Sequence, residues 1–128
     1  VGLDNYAIYG KEHSKYNHTQ GADNGIPNEL FPENQLCGGM FSGGGNSFRG
    51  KVYNNLVETF TGFSLYEDIL NADEVEIIAN ELSKITESRF IDEFSGYDSY
   101  EITYHEVKQL AEWFRVVANE GGSVISWY

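Results

Sequence analysis

The sequence predicts an α+β fold: a single compact domain, residues 1–128, with about three amphipathic helices packed on a small sheet. Three observations predict it. Apolar residues recur at helical spacing in three separate stretches, and β-rich stretches stand near both ends of the chain. The two patterns do not alternate strictly, which argues against a repeated strand–helix–strand unit. A chain of 128 residues with 15% aromatics can bury one core but not two, and is too apolar to be disordered.

The stretch LDNYAIYG, Leu3 to Gly10, is rich in β-formers and ends at glycine, so it reads as a short strand. Residues 10–29 are polar and aperiodic and read as a loop. Pro27 and Pro32 bracket NELF, which suits one helical turn. Phe48, Val52, Leu56 and Phe60 then form a stripe widened by Tyr53 and Val57, which predicts the first helix. Ser47 is its expected N-cap and Gly62 its expected stop. Gly50, in the first turn, should weaken that helix by about 1 kcal/mol relative to alanine. FSLYEDIL fits a strand or a helical turn equally well.

A second helix starts at Asn71 or Asp73, with Val75, Ile78, Ala79, Leu82 and Ile85 on its apolar face. Residues 87–102 read as a short strand or irregular segment. Thr103 and Glu106 have capping-box spacing ahead of a third helix, which buries Val107, Leu110, Ala111, Phe114 and Val117. Gly121 and Gly122 stop it. SVISWY closes the sequence as a strand, with Val124 and Ser126 on one side and Ile125 and Trp127 on the other. The two terminal strands are expected to pair.

Charge is concentrated. The net charge is −12, and residues 67–106 hold twelve acids against only Lys84 and Arg89. Such a surface repels nucleic acid and anionic membranes. Its plain reading is solvation; the sharper one is mimicry of DNA toward a basic partner. No apolar run is long enough to span a bilayer, and no basic start followed by an apolar run suggests a secretory leader. Cys37 is the only cysteine, so no intramolecular disulfide forms and the expected compartment is a reducing cytoplasm.

The centre of the chain carries the sharpest motif. In GGGNSFRGKV, residues Gly45, Gly50 and Lys51 have the spacing of a phosphate-binding loop. Val52 stands where that loop needs a magnesium-binding hydroxyl, and glycines rather than an apolar strand precede it. A nucleotide hydrolase is therefore not expected. What survives is an anion site of Asn46, Ser47, Arg49 and Lys51 at a helix start. The plain alternative is that the glycines only allow tight packing, with positive φ expected at one or more of Gly43 to Gly45.

Other reactive residues are isolated. His13 and His18 have no second pair to complete a metal site, and Asp92, Glu93, Asp98 and Glu101 miss calcium-loop spacing. His105 is expected at the surface. Cys37 reads as a buried, inert thiol, and Tyr97, Tyr100 and Tyr104 as core or rim. No metal and no cofactor are expected.

Four stretches, GLDNYA, LCGGMFSGGGNSFRGKVY, TGFSLYEDIL and EGGSVISWY, resemble a family of small proteins of unknown function. These begin with the first motif, carry a glycine-rich centre ending in Ser-Phe-Arg-Gly-Lys-Val-Tyr, and close on an apolar strand with Trp. The resemblance covers about half of the chain and is most specific at the centre. It implies a shared fold and a special central segment but no activity. The expected function is a non-enzymatic module that uses loop 37–53 to bind a small anionic ligand or a protein partner, with no nucleic acid and no membrane. The alternatives are an enzyme acting on a small anionic substrate, with Cys37 or a histidine as reactive group, and an acidic DNA-mimic inhibitor.

Overall fold

The computed structural model describes residues 3–10, 25–32, 36, 45–94 and 102–127. Among the described residues, four α-helices pack on a four-stranded antiparallel sheet. Strand β1 (Asp4–Ile8) and strand β4 (Ser123–Trp127) form its centre. They pair over their full length, from Asp4 opposite Trp127 to Ile8 opposite Ser123. Two short strands flank them. β2 (Ser47–Phe48) lies against β1, and β3 (Ile69–Leu70) against β4, giving the order β2-β1-β4-β3. The expected pairing of the two terminal strands is thus the spine of the sheet.

Alternation along the strands sets two faces. Leu3, Ala7, Phe48, Leu70 and Val124 join the main core with the helices. Tyr6, Ile8 and Ile125 form a smaller cluster on the opposite face, joined by half-buried Ile69 and Trp127. The Tyr6 hydroxyl is held above the ordinary tyrosine value, first by burial and then by the charge of Asp4, so it stays protonated at neutral pH.

Helix α1 (Gly50–Thr61) carries the predicted stripe, and Gly62 closes it in the left-handed region at φ 80°. Helix α2 (Ala72–Ser83) begins at Asn71, whose side chain and that of Glu74 form a reciprocal capping box. Thr103 and Glu106 do the same for α4 (Tyr104–Asn119), and Glu106 also accepts a 2.7 Å hydrogen bond from the Tyr53 hydroxyl. The turn in NELF is a single 3-10 turn at Asn28–Leu30. Within FSLYEDIL, a turn leads into β3.

Two expectations change. Residues 87–94 are neither strand nor irregular but form α3 (Glu87–Phe94). Phe94 packs on Phe60 and on Phe90, with ring centroids 6.3 and 5.8 Å apart, and Arg89 stands over the Phe60 ring at 5.0 Å while bonding Glu93. Aromatic anchoring of one face holds this helix, which is only eight residues long. The first long helix also starts later than its stripe. Phe48 is buried, but as a residue of β2, and Arg49 rather than Ser47 is the N-cap, with no side-chain cap bond. Pairing with β1 draws Ser47 and Phe48 into extended backbone, opposite Tyr6 and Asn5.

The main core is aromatic at its centre. Phe48 meets Trp113 edge-on at 4.7 Å, and Phe31 stacks on Trp113 at 5.4 Å. Phe48, Val52, Leu56, Phe60, Val75, Ile78, Leu82, Leu110, Phe114 and Val117 all belong to this one cluster. Leu56 is fully buried in it. Leu56→Ala should therefore cost about 2–5 kcal/mol. Urea unfolding followed by circular dichroism checks this; a loss under about 0.5 kcal/mol, the range of a surface change, would contradict the packing.

Candidate functional site

The four residues expected to hold an anion fall into two pairs with different environments. Asn46 is tied into the fold on three sides. Its amide N–H donates to Asn28 Oδ1 at 3.0 Å, its Nδ2 donates to the Ile26 carbonyl at 3.0 Å, and its carbonyl accepts the Ala7 N–H at 2.9 Å. It joins the 3-10 turn to β1. Ser47 is buried in β2, and its hydroxyl finds no hydrogen-bond partner among the described residues. Arg49 is half-buried at the N-cap, and Lys51 is exposed in the first turn of α1. Residues two apart on a helix leave it on different sides, so these two cations do not form a fork.

The helix start is closed by the chain itself. The Lys51 N–H donates to the Leu3 carbonyl at 3.3 Å, so the residue just before β1 takes one of the amides that a helix N-terminus leaves unpaired. Gly50 and Lys51 are the first two residues of α1, so the case against a phosphate-binding loop rests on Val52, which has no hydroxyl for magnesium.

Glycine has a packing role here. A Cβ at Gly45 would stand 2.9 Å from Phe31 Cβ, and the Gly45 carbonyl accepts the Trp113 indole N–H at 2.7 Å. Gly45 does not have positive φ; Gly43 and Gly44 lie outside the described residues. A Cβ at Gly50 would collide with the Asn5 side-chain oxygen. Asn5 is itself buried on the helix-facing side of β1, where its Nδ2 donates to the Leu65 carbonyl at 3.0 Å and lies 3.4 Å from the Ile125 carbonyl. The Leu65 N–H donates to Asn54 Oδ1 at 2.8 Å. Two asparagines, from β1 and α1, thus satisfy both polar groups of one buried loop residue. Asn5, Gly50, Leu65 and Ser126, one from each of the four stretches that carry the resemblance, come together around this node. Asn5 and Ser126 are cross-strand partners.

His105 is exposed, with its Nε2 3.2 Å from Gln109 Nε2. Cys37, His13, His18, Tyr97, Asp98, Tyr100 and Glu101 lie outside the described residues. Among the described residues, no three or more His, Cys, Asp or Glu side chains group as metal ligands, and no helix is long and apolar enough to cross a membrane. No protein-family model matches the chain, and neither a curated protein nor a solved structure does.

The Asn5 node was missed by sequence reasoning because its bonds span 60 and 120 residues. The available signal was an amide side chain at an inward position of an apolar strand. The contact also reverses the expectation for Gly50. Alanine would favour the helix by up to about 1 kcal/mol, but it must displace Asn5. Overpacking costs about 1–3 kcal/mol, and breaking the Asn5 bonds adds about 1–3 kcal/mol. Gly50→Ala should therefore lower stability, by about 2 kcal/mol or more. In an Asn5→Ala background the same change should cost much less, because the two sites are coupled. Equal costs in both backgrounds, measured by urea unfolding, would remove the contact as the cause.

Proposed function

We propose that this chain is a small non-enzymatic binding module that holds an anionic group, on a small ligand or a protein partner, beside the start of α1. The observation that supports this is the placement of Arg49 and Lys51. Cations at a helix N-terminus oppose the helix dipole, by about 0.3–1 kcal/mol each. Neither side chain pairs with a described carboxylate, whereas Lys84 and Arg89 pair with Glu81 and Glu93. In a chain of net charge −12, two cations set against a dipole and unpaired by any described carboxylate are relieved by a bound anion. Asn46 and Ser47 support the backbone of such a site, and the charge comes from Arg49 and Lys51.

The reading takes residues 1–128 as one unit in a reducing cytoplasm, without cofactor and without nucleic acid as partner. An enzyme acting on a small anion would need a base or nucleophile near Ser47, and the described histidine, His105, is exposed beside Gln109. A DNA mimic would need one continuous acidic strip. The described acids of 67–106 are spread over the approach to β3, α2, α3 and the start of α4, and Glu74 and Glu106 serve as caps.

Titration with sulfate at low ionic strength, followed by backbone amide shifts, tests the proposal. Saturable shifts centred on Asn46 to Lys51 are expected. They should weaken as salt is added, and they should vanish in an Arg49→Ala, Lys51→Ala double variant. Shifts that survive in the double variant, or none at all, would overturn the reading.

A further inference from the structure

A second feature lies where the C-terminal end of α2 meets α4. A groove of about 240 Å³ opens there, and its floor is apolar: Leu82, Ile85 and Ala111. Tyr104 forms a fixed wall. Its hydroxyl donates to the Ile85 carbonyl at 2.9 Å, and its ring lies 6.1 Å from that of Phe90. The rim is charged. Lys108 and Arg115 stand one turn to either side of Ala111 on α4, with Glu112 between them.

The rim charges differ in how they are held. The Arg115 guanidinium donates to Asn80 Oδ1 at 2.5 Å, which ties it to α2 and leaves its other N–H groups for a ligand. Lys108 is exposed and makes no ion pair with a described residue. Two cations and one acid give this rim an excess of one positive charge, in a chain that carries −12.

We propose that the groove binds a small monocarboxylate with an apolar body, of the arylalkanoic or short fatty acid class. The apolar body covers Leu82, Ile85 and Ala111, and the carboxylate sits between Lys108 and Arg115. The size follows from the volume, which lies below the roughly 300–1,000 Å³ of pockets for drug-sized ligands. The single charge follows from Glu112, which repels a dianion at the same rim. The floor residues are already buried, so an apolar body gains its contact from the half-buried Tyr104 wall, which a bare inorganic anion would leave uncovered. The site shares no residue with the anion site at the start of α1, and the proposal does not depend on that reading.

The test is an amide-shift titration of the isotopically labelled chain with 3-phenylpropionate at neutral pH. Saturable shifts are expected at Ser83, Ile85 and Lys108 to Glu112. Phenylpropanol, phenyl phosphate and acetate should bind more weakly, since they lack the charge, carry too much of it or lack the apolar body. Lys108→Glu, an exposed change that reverses the rim charge, should abolish saturable binding and leave resonances elsewhere unmoved. The Arg49→Ala, Lys51→Ala double variant should bind as the parent does. No saturation, equal binding of the alcohol or the phosphate, or loss of binding in the double variant rather than in Lys108→Glu would each overturn the proposal.

Discussion

The fold turns on one buried amide. Asn5 sits in the central strand β1, faces the helices and is almost wholly removed from water. Burying an amide side chain costs several kcal/mol unless it is bonded, and its Nδ2 finds the Leu65 carbonyl. Leu65 belongs to no helix or strand, so its own N–H would also be orphaned in the core; Asn54 of α1 accepts it. The Asn5 Oδ1 is buried against Gly50 and accepts no hydrogen bond from a described residue; it lies at the positive end of α1, where the helix dipole offsets part of that cost. One residue therefore fixes how closely α1 approaches the sheet, where the α1–β3 connection runs, and the relation of both to β4. Asn46 does similar work at the other side of β1, binding the 3-10 turn to the same strand.

What the sequence revealed follows from the range over which each interaction acts. The caps of α2 and α4 were legible because Asn71 with Glu74, and Thr103 with Glu106, act within one turn. The core stripe was legible because its period is set by helix geometry alone. The N-cap was misread at Ser47 because local capping preference yields there to pairing between Ser47 and Tyr6, forty-one residues apart. Helix α3 escaped notice because two turns give only one spaced pair, Phe90 and Phe94, too little to separate from an irregular segment. The Asn5 node left only a faint signal, an inward amide in an apolar strand, because asparagine ordinarily signals a turn and its bonds span 60 and 120 residues. The four candidate residues stand together in the sequence, but only the structure separates Asn46, bonded to β1 from a turn, and Ser47, buried in β2, from half-buried Arg49 and exposed Lys51.

Charge and packing meet at the two ends of this account. The acids that give the chain its sign are partly committed to its own helices, through capping boxes and short-range ion pairs. Among the described residues, Arg49, Lys51 and Lys108 pair with no carboxylate, and Arg115 is tied to Asn80. The two places proposed to take anions differ in kind: one stands at the start of a helix, the other is a groove with buried apolar residues beneath a charged rim.

The most direct measurement of the central claim is native-state hydrogen exchange at the Leu65 amide. A loop N–H ordinarily exchanges through local opening at little free energy. If Asn5 and Asn54 hold Leu65 as part of the core, its amide should exchange only with global unfolding, at the same free energy as Val124 and Ile125 in β4. In Asn54→Ala that protection should collapse more than the loss of global stability accounts for. A Leu65 amide that exchanges as fast as its exposed neighbour Tyr66 in the parent chain would contradict the account.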